Sequence, residues 1–414
     1  MIEFDRFVLP NGLKVIVHHD VSTPMVAVNL TYAVGARDEN PEKTGFAHLF
    51  EHLMFGGSKN IPSYDKPLQS VGGENNAFTS NDLTNYYLTL PKSSLEIAFW
   101  LESDRMKELA FSERSLEVQR QVVIEEFKQR YINQPYGDVH SLLRPLAYLK
   151  HPYRWPTIGK EIKHIEEASM QEVKDFFYKF YRPNNAVLSV AGNVSRKEIE
   201  ELSTKWFADI PQGKELERNY PKEEQQLQAR ELVVEREVPL HAVYRAYHMV
   251  DRLHPDYHAF DLLSDILSRG NSSRFHQHLI KGKRIFNEVN AYIGGDLDAG
   301  LFTLSGFINP AKSMEEAIEA LQAEIESVQE GGVKHEELAK VKNKVEATLA
   351  FAQTSILNKA MGLGIAEVIQ KAELVNEELE AYRKVSTEDL KRIAQEYLSV
   401  DQSSTLQYRS KQQA

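Results

Sequence analysis

The hydrophobic and polar positions up to residue 90 follow the two-residue period of β-strands. Two β-rich runs are joined by the turn Pro10-Asn11-Gly12, which predicts a hairpin. Residues 25–34 alternate well enough for a third strand, and residues 84–90 predict a stronger one. Between these two, Asn76-Ala77-Phe78-Thr79 predicts a short polar strand near a sheet edge. Free backbone groups on such an edge could pair with an extended peptide, although a hairpin without a ligand has the same local pattern.

After residue 93 the apolar positions follow the 3.6-residue period of a helix. Through residue 130 they predict one long helix or two shorter ones, with a break at Phe111-Ser112-Glu113. Near the end of this region, Val122-Val123-Ile124 contributes to an apolar side, and the acidic pair Glu125-Glu126 follows directly. Such a pair usually lies on a solvated edge, so it acquires a functional meaning only from residues elsewhere in the chain.

Two later segments repeat one pattern, in which a capping box opens a helix that is followed by a β-rich run. Ser169 and Ser386 open the two copies and lie 217 residues apart. This repeat predicts two homologous α+β domains, each a mainly antiparallel sheet flanked by helices. The stretch between them is charged, rich in Gln and without apolar periodicity, as is typical of a linker. We therefore expect domains over residues 1–215 and 231–414, with a linker over residues 216–230.

Candidate chemistry lies on a short apolar helix predicted after the third strand. His48, Glu51 and His52 form the pattern H-x-x-E-H, and side chains three and four apart share one face of a helix. Two imidazoles at this spacing can bind one metal ion, and the carboxylate can take a proton from a water at the metal. The pattern is the inverted form of the zincin motif. It needs a third ligand, for which Glu125 and Glu126 are the candidates.

Composition narrows the classes of function. The length of 414 residues suits two domains, and the net charge of -11 argues against nucleic acid as the main partner. The absence of Cys excludes disulfides, thiolate zinc ligands and a thiol nucleophile. No run approaches the roughly 20 apolar residues of a membrane span, so none is expected. The first residues lack a signal pattern, which predicts a cytoplasmic protein if the N-terminus is native and a periplasmic one if a signal was removed.

Four motifs occur in a fixed order. The first is the His48 to His52 motif, and the others are Gly72-Gly73-x-x-Asn76-Ala77-x-Thr79, Asp82-x-Thr84-x-Tyr86 and Val122-Val123-Ile124-Glu125-Glu126. In order and approximate spacing they resemble the pitrilysin/insulysin family of zinc metallopeptidases, the inverzincins. Within that family the chain is most similar to the mitochondrial processing peptidase β subunit and its short bacterial relatives. The likeness continues to Asn193 and so covers about the first 200 residues.

The resemblance implies a pitrilysin-like fold and a zinc-dependent endopeptidase. It implies one Zn²⁺ per chain, held by His48, His52 and Glu126, with Glu51 as the catalytic base. Glu126 is favoured over its neighbour because the distal ligand of the family lies at its distance from the second His. The implied substrate is a peptide or an unfolded segment, which lies along Asn76-Ala77-Phe78-Thr79 inside an enclosed chamber.

One departure from the family lies near the distal ligand. The family often has a supporting acidic residue seven positions before that ligand, and this chain has Gln119 there. Glutamine can donate and accept hydrogen bonds but adds no charge. Glu117 takes this supporting role only if the helix lets its side chain reach the site.

A second departure concerns the later half. The resemblance implies an Arg and, seven residues on, a Tyr that help to hold the substrate carbonyl, but these positions fall on Ile280 and Asn287. Lys281 or Arg284 replaces them only if the alignment shifts. We therefore expect this chain to supply the zinc and a homologous partner subunit to supply the Arg/Tyr pair in a hetero-oligomer. A homodimer stays open. The alternative function is a non-catalytic scaffold or binding subunit of a larger complex, against which the complete metal motif argues.

Overall fold

The computed structural model describes residues 1–295 and 297–413. Its first sheet has six described strands, in the spatial order first, second, sixth, third, fifth and fourth. They are β1 (Asp5–Val8), β2 (Lys14–His19), β3 (Met25–Tyr32), β4 (Glu74–Thr79), β5 (Thr84–Pro91) and β6 (Ala186–Gly192). Strands β2 and β6 are parallel, and the other neighbours are antiparallel. The predicted hairpin over β1 and β2 is confirmed, and β4 lies at a sheet edge.

The second sheet repeats this arrangement without a counterpart of β1. Its described strands are β7 (Arg230–Arg236), β8 (Ala242–His248), β9 (Phe286–Ile293), β10 (Leu301–Ile308) and β11 (Ser403–Ser410). Their spatial order is β7-β11-β8-β10-β9, and β7 and β11 form the parallel pair. Strands β6 and β11 start 217 residues apart, the spacing of the sequence repeat. The predicted α+β fold with two mainly antiparallel sheets is confirmed.

Helices accompany both sheets. The described α-helices are α1 (Phe46–Leu53), α2 (Asp65–Ser70), α3 (Leu95–Lys107), α4 (Glu113–Phe127), α5 (Val139–Ala147), α6 (Ile162–Glu166), α7 (Met170–Phe180), α8 (Arg196–Phe207), α9 (Tyr257–Ser268), α10 (Met314–Gly331), α11 (His335–Ala352), α12 (Ile356–Ile369), α13 (Leu374–Lys384) and α14 (Thr387–Tyr397). Two π-helices span Lys128–Ile132 and Phe275–Gly282. Among the described residues, none of the helices has both the length and the apolar character needed to cross a bilayer.

Local signals in the sequence account for several helix boundaries. The break between α3 and α4 shows that the two-helix alternative is the correct one. Ser169 and Ser386 cap α7 and α14, and their hydroxyls accept hydrogen bonds from the backbone N–H groups of Glu172 and Asp389. These caps satisfy N–H groups that have no partner within the helix. Both predicted capping boxes are therefore confirmed.

The chain forms two compact units, each assembled from three segments. The first contains Met1–Arg130, Trp155–Tyr220 and Ala350–Glu377, and the second contains Tyr131–Arg154, Pro221–Leu349 and Glu378–Ala414. Helix α12 therefore packs on β3 and β6 of the first sheet, and α5 packs in the second unit. The two halves of the sequence each carry one sheet, but each also contributes a helix to the unit of the other half. A division at residues 216–230 separates the sheets and not the compact units.

A close contact explains why α12 belongs to the first unit. A methyl group on Gly364 would lie 2.7 Å from Ser189 Oγ and 3.0 Å from Thr31 Oγ1. Asn29 is fully buried beside them and donates to Thr31 Oγ1 over 3.0 Å. Ser189 in turn donates to the backbone oxygen of Ala360 over 2.7 Å. A helix with glycine at this point can approach a polar patch of the sheet and satisfy its buried hydrogen bonds.

Part of the predicted linker is attached to the first unit. The residues between Ile210 and Arg230 form no helix or strand. Nevertheless Arg218 Nε and the Tyr220 hydroxyl both donate to Asp38 Oδ1, over 3.0 and 2.5 Å. The segment therefore crosses from one half to the other as an ordered strap and not as a free tether.

Candidate metal centre

The helix that carries the H-x-x-E-H motif is capped by a side chain from outside it. α1 starts after Gly45, whose φ of 91° favours glycine and whose missing side chain provides no cap. Instead the Glu39 carboxylate accepts the N–H groups of Gly45 and Ala47 over 2.9 and 2.8 Å. The Trp155 indole N–H donates to the same carboxylate over 3.2 Å. Glu39 therefore anchors the start of the helix that presents the motif.

Glu39 is only 6% exposed. Burial raises the pKa of its carboxyl to about 8, and the hydrogen bonds from Ala47, Gly45 and Trp155 oppose that rise. The position of this helix is thus coupled to a carboxyl group that binds a proton more readily than a solvated one.

The structure brings two imidazoles and one carboxylate together where α1 packs against α4. His48 Nε2 lies 3.7 Å and His52 Nε2 3.4 Å from Glu126 Oε2. One ligand atom from each of the three residues lies within 4.8 Å of the others. Glu125 takes no part, because its carboxylate accepts from Lys128 Nζ over 2.8 Å and is 58% exposed.

The electrostatic environment suits this group of atoms to metal binding. Burial lowers the pKa of His48 to about 4, so its imidazole is neutral near pH 7 and has a lone pair for a metal. The contact with His52 lowers the pKa of Glu126, which keeps this carboxylate ionised. His48 Nδ1 is buried and has no hydrogen-bond partner among the described residues. Two imidazole nitrogens and one carboxylate oxygen form a donor set that fits a catalytic zinc ion.

Glu51 connects the motif helix to the edge strand. Thr79 Oγ1, at the end of β4, donates to Glu51 Oε2 over 2.7 Å. Burial raises the pKa of Glu51, which favours proton exchange by this carboxyl near neutral pH. Along β4, Asn76 and Phe78 are exposed, whereas Ala77 and Thr79 are half-buried. The Asn76 side chain accepts the N–H of Ala77 over 2.8 Å.

Arg130 is a further residue at the site that the sequence interpretation missed. Its Nη1 lies 3.0 Å from Glu126 Oε1, the carboxylate oxygen that does not face the imidazoles. Arg130 follows Glu126 by four residues, a spacing that places side chains next to each other on a helix. That spacing is the signal that could have identified it. Glu39 had no comparable local signal, because its partners start another element.

The two candidates for a supporting residue lie elsewhere. The nitrogen of Gln119 lies 3.8 Å from the point where a side chain on Gly56 would begin. Within residues 1–295 and 297–413, Gln119 forms no side-chain hydrogen bond. Glu117 is exposed and accepts from Gln121 Nε2 over 2.9 Å. In this conformation neither side chain supports an imidazole.

A buried ion pair underlies the motif helix. Arg105 and Glu102 are 1% and 2% exposed, and the guanidinium donates to the carboxylate over 2.6 to 2.9 Å. The guanidinium also lies over the rings of Tyr64 and Tyr86, 4.5 Å from each centroid. Tyr86 in turn donates its hydroxyl to the backbone oxygen of Phe50, on α1, over 3.3 Å. The third motif of the sequence thus contributes a tyrosine that supports the metal-binding helix.

Two family models match the chain. Residues 14–159 match the model described as Insulinase (Peptidase family M16), and residues 167–345 match the Peptidase M16 inactive domain. Together the matched segments cover more than half of the chain. The chain belongs to peptidase family M16. The resemblance expected from the four motifs is therefore confirmed, and the metal site lies in the half that matches the Insulinase model.

Relatives of this M16 chain include proteins named zinc proteases. Zinc protease PqqE of Helicobacter pylori is 31% identical over 405 residues, which cover 96% of this chain and 91% of the relative. The mitochondrial-processing peptidase subunit beta of Saccharomyces cerevisiae is 27% identical over 208 residues, 50% of this chain and 44% of the relative. The crystal structure of a protease from Helicobacter pylori superposes with a TM-score of 0.92 at 29% identity, covering 99% of this chain and all of that one. The pitrilysin-like fold is thereby confirmed.

Proposed function

We propose that this M16 chain is a zinc-dependent endopeptidase that hydrolyses peptides or unfolded segments. The observation that carries the proposal is the convergence of His48, His52 and Glu126 on one point, beside a Glu51 carboxyl on the same helix face. The names of the relatives support zinc as the metal.

Each residue of the site has a role in this reaction. His48, His52 and Glu126 would hold the ion through two nitrogens and one oxygen. When bound, zinc supplies Lewis acidity towards water and towards the peptide carbonyl. Glu51 takes a proton from the attacking water as the water oxygen bonds to the carbonyl carbon. The same carboxyl then gives the proton to the amine as the C–N bond breaks. Thr79 occupies Glu51 Oε2 and orients the other oxygen for this transfer.

The edge position of β4 supports binding of an extended peptide. A peptide strand that adds to β4 forms main-chain hydrogen bonds, which fix its register without reading its sequence. The Asn76 side chain now occupies the N–H of Ala77, and an incoming peptide carbonyl would replace it. This mode of binding favours broad specificity, with side-chain preferences set by the exposed Asn76 and Phe78.

The proposal includes a homologous partner subunit that completes a chamber for the peptide. Its support is the pair Ile280 and Asn287, which occupy the positions expected for the Arg and Tyr. Neither side chain can reproduce the donation of that pair. The partner therefore supplies these donors, and the hydrolysis rate of a mixture exceeds the sum of its parts. Equal rates for the chain alone and for the mixture would exclude the partner while leaving the peptidase in place.

The test of the peptidase combines metal content with hydrolysis of a quenched fluorescent peptide. Wild type is expected to contain about one zinc per chain, and Glu126→Gln is expected to lose it. Glu125→Gln is the matched control and should retain the metal. Glu51→Gln should retain the metal and lose about 10² to 10⁴-fold in hydrolysis rate. A wild-type chain without zinc, or unchanged cleavage by Glu51→Gln, would instead support the scaffold alternative.

A further inference from the structure

The second unit has a surface pocket at the start of β9. It lies where the π-helix Phe275–Gly282 ends, and its volume is about 440 Å³. This volume falls within the range of pockets that bind small groups. The lining residues are Ile280, Lys281, Arg284, Phe286, Asn287 and Asn309. The pocket therefore combines two cations and two amides with two apolar side chains.

The positive charge of this pocket is not neutralised by a neighbouring acid. Neither Lys281 nor Arg284 has an ion-pair or hydrogen-bond partner within residues 1–295 and 297–413. The chain as a whole carries a net charge of -11, so acidic side chains are plentiful elsewhere. Two unpaired cations around one concave surface favour an anionic ligand.

Arg284 is also held in an unfavourable backbone conformation. Its φ of 54° lies in the left-handed region, which costs a side chain about 1 kcal/mol. Backbone hydrogen bonds on both sides maintain it: Lys283 N–H donates to His278 O over 2.7 Å, and Ile285 N–H donates to Leu279 O over 2.8 Å. Glycine would adopt this conformation without cost, so an arginine here is consistent with a role for its guanidinium.

The direction of β9 indicates which anion the pocket meets. Strand β9 lies at an edge of the second sheet and begins at Phe286, in the pocket wall. A peptide that adds antiparallel to β9 ends, with its C-terminal carboxylate, at this end of the strand. A parallel peptide would instead bring its N-terminal ammonium group to Lys281 and Arg284, which would repel it.

We propose that this pocket binds the C-terminal carboxylate of an extended peptide added to β9. Lys281 and Arg284 pair with the carboxylate, and the amides of Asn287 and Asn309 donate to it. Phe286 contacts the last side chain of the peptide. The proposal relies on the proposed function for its ligand class, and it adds a preference for peptides with a free C-terminus.

Binding is measured by fluorescence anisotropy in the Glu51→Gln background, so that no peptide is cleaved. The probes are two N-terminally labelled hexapeptides of Ala, Ser and Val, one with a free C-terminal carboxylate and one with a C-terminal amide. The carboxylate is expected to bind about 10-fold more tightly, the worth of one charge-assisted hydrogen bond. Arg284→Gly and Lys281→Met should abolish this preference. Lys283→Met, an exposed neighbour outside the pocket, should retain it.

The variants separate the pocket from general effects. Arg284→Gly removes backbone strain, so its melting temperature should not fall, and lost binding cannot be attributed to unfolding. Equal affinity for the two probes would overturn the proposal. It would also be overturned if Lys283→Met reduced the preference as much as Lys281→Met, because that result indicates diffuse charge. Preserved carboxylate preference in a chain without hydrolytic activity would instead refute the peptidase and retain the pocket.

Discussion

Replacement of Arg130 by glutamine tests whether the metal site depends on residues beyond its three ligands. Arg130 Nη1 lies 3.0 Å from Glu126 Oε1, while the other oxygen of this carboxylate faces His48 and His52. The guanidinium therefore holds the carboxylate so that one oxygen is directed towards the metal position. Without it, the carboxylate can rotate, and part of the binding free energy is spent on fixing it again.

The expected magnitude follows from distance and exposure. Partners of metal ligands typically contribute 10 to 100-fold to metal affinity, about 1.4 to 2.7 kcal/mol. The Arg130 side chain is 69% exposed, and water screens an ion pair of this kind to about 1 kcal/mol or less. We therefore expect the lower end of the range, about a 10-fold loss of zinc affinity in Arg130→Gln.

Competition with a chromophoric chelator measures the zinc affinity of each variant. Lys128→Gln is the matched control, because Lys128 pairs with the solvent-facing Glu125 two residues earlier in the same helical segment. The two substitutions remove the same charge, but only one removes it from a metal ligand. Equal zinc affinities for Arg130→Gln and Lys128→Gln would refute the role assigned to Arg130.

Three further predictions concern stability. Glu102→Gln leaves a buried guanidinium unpaired and should lower the free energy of unfolding in urea by about 3 to 5 kcal/mol, whereas Glu96→Gln, in an exposed pair on the same helix, should cost at most about 1 kcal/mol; similar losses would contradict the burial argument. The pKa of Glu39 rises from 4.5 to about 8 on folding, so its contribution is present below pH 4.5 and is lost as the pH approaches 8. Stability measured from pH 5 to 8 should therefore fall in wild type relative to Glu39→Gln, and parallel curves would count against it. Gly364→Ala meets polar atoms of the sheet at 2.7 to 3.0 Å and should lower the melting temperature, at a cost of about 1 to 3 kcal/mol. Gly362→Ala meets only a valine at 3.7 Å and should raise it through a helix propensity gain of up to about 1 kcal/mol, so effects of the same sign would refute the packing of α12.

Much of the fold and the centre of the candidate site were predictable from the sequence alone. The period of apolar residues determines strand or helix, because it reflects the spacing of side chains along a regular backbone. The capping serines at 169 and 386 predicted helix starts because a cap needs only residues within one turn. For the same reason, the spacing of His48, Glu51 and His52 was sufficient to place them on one helix face.

Residues distant in sequence were decided only by the tertiary structure. Packing of α1 against α4 selects Glu126 over Glu125 as the carboxylate at the imidazoles, a distinction that the family resemblance anticipated and local pattern left open. Glu39 caps α1 because the loops around it bring its carboxylate to that helix start. Helix α12 joins the first sheet because Gly364 fits its buried polar patch. Such contacts depend on shape and hydrogen bonding between separate elements, which no local period encodes.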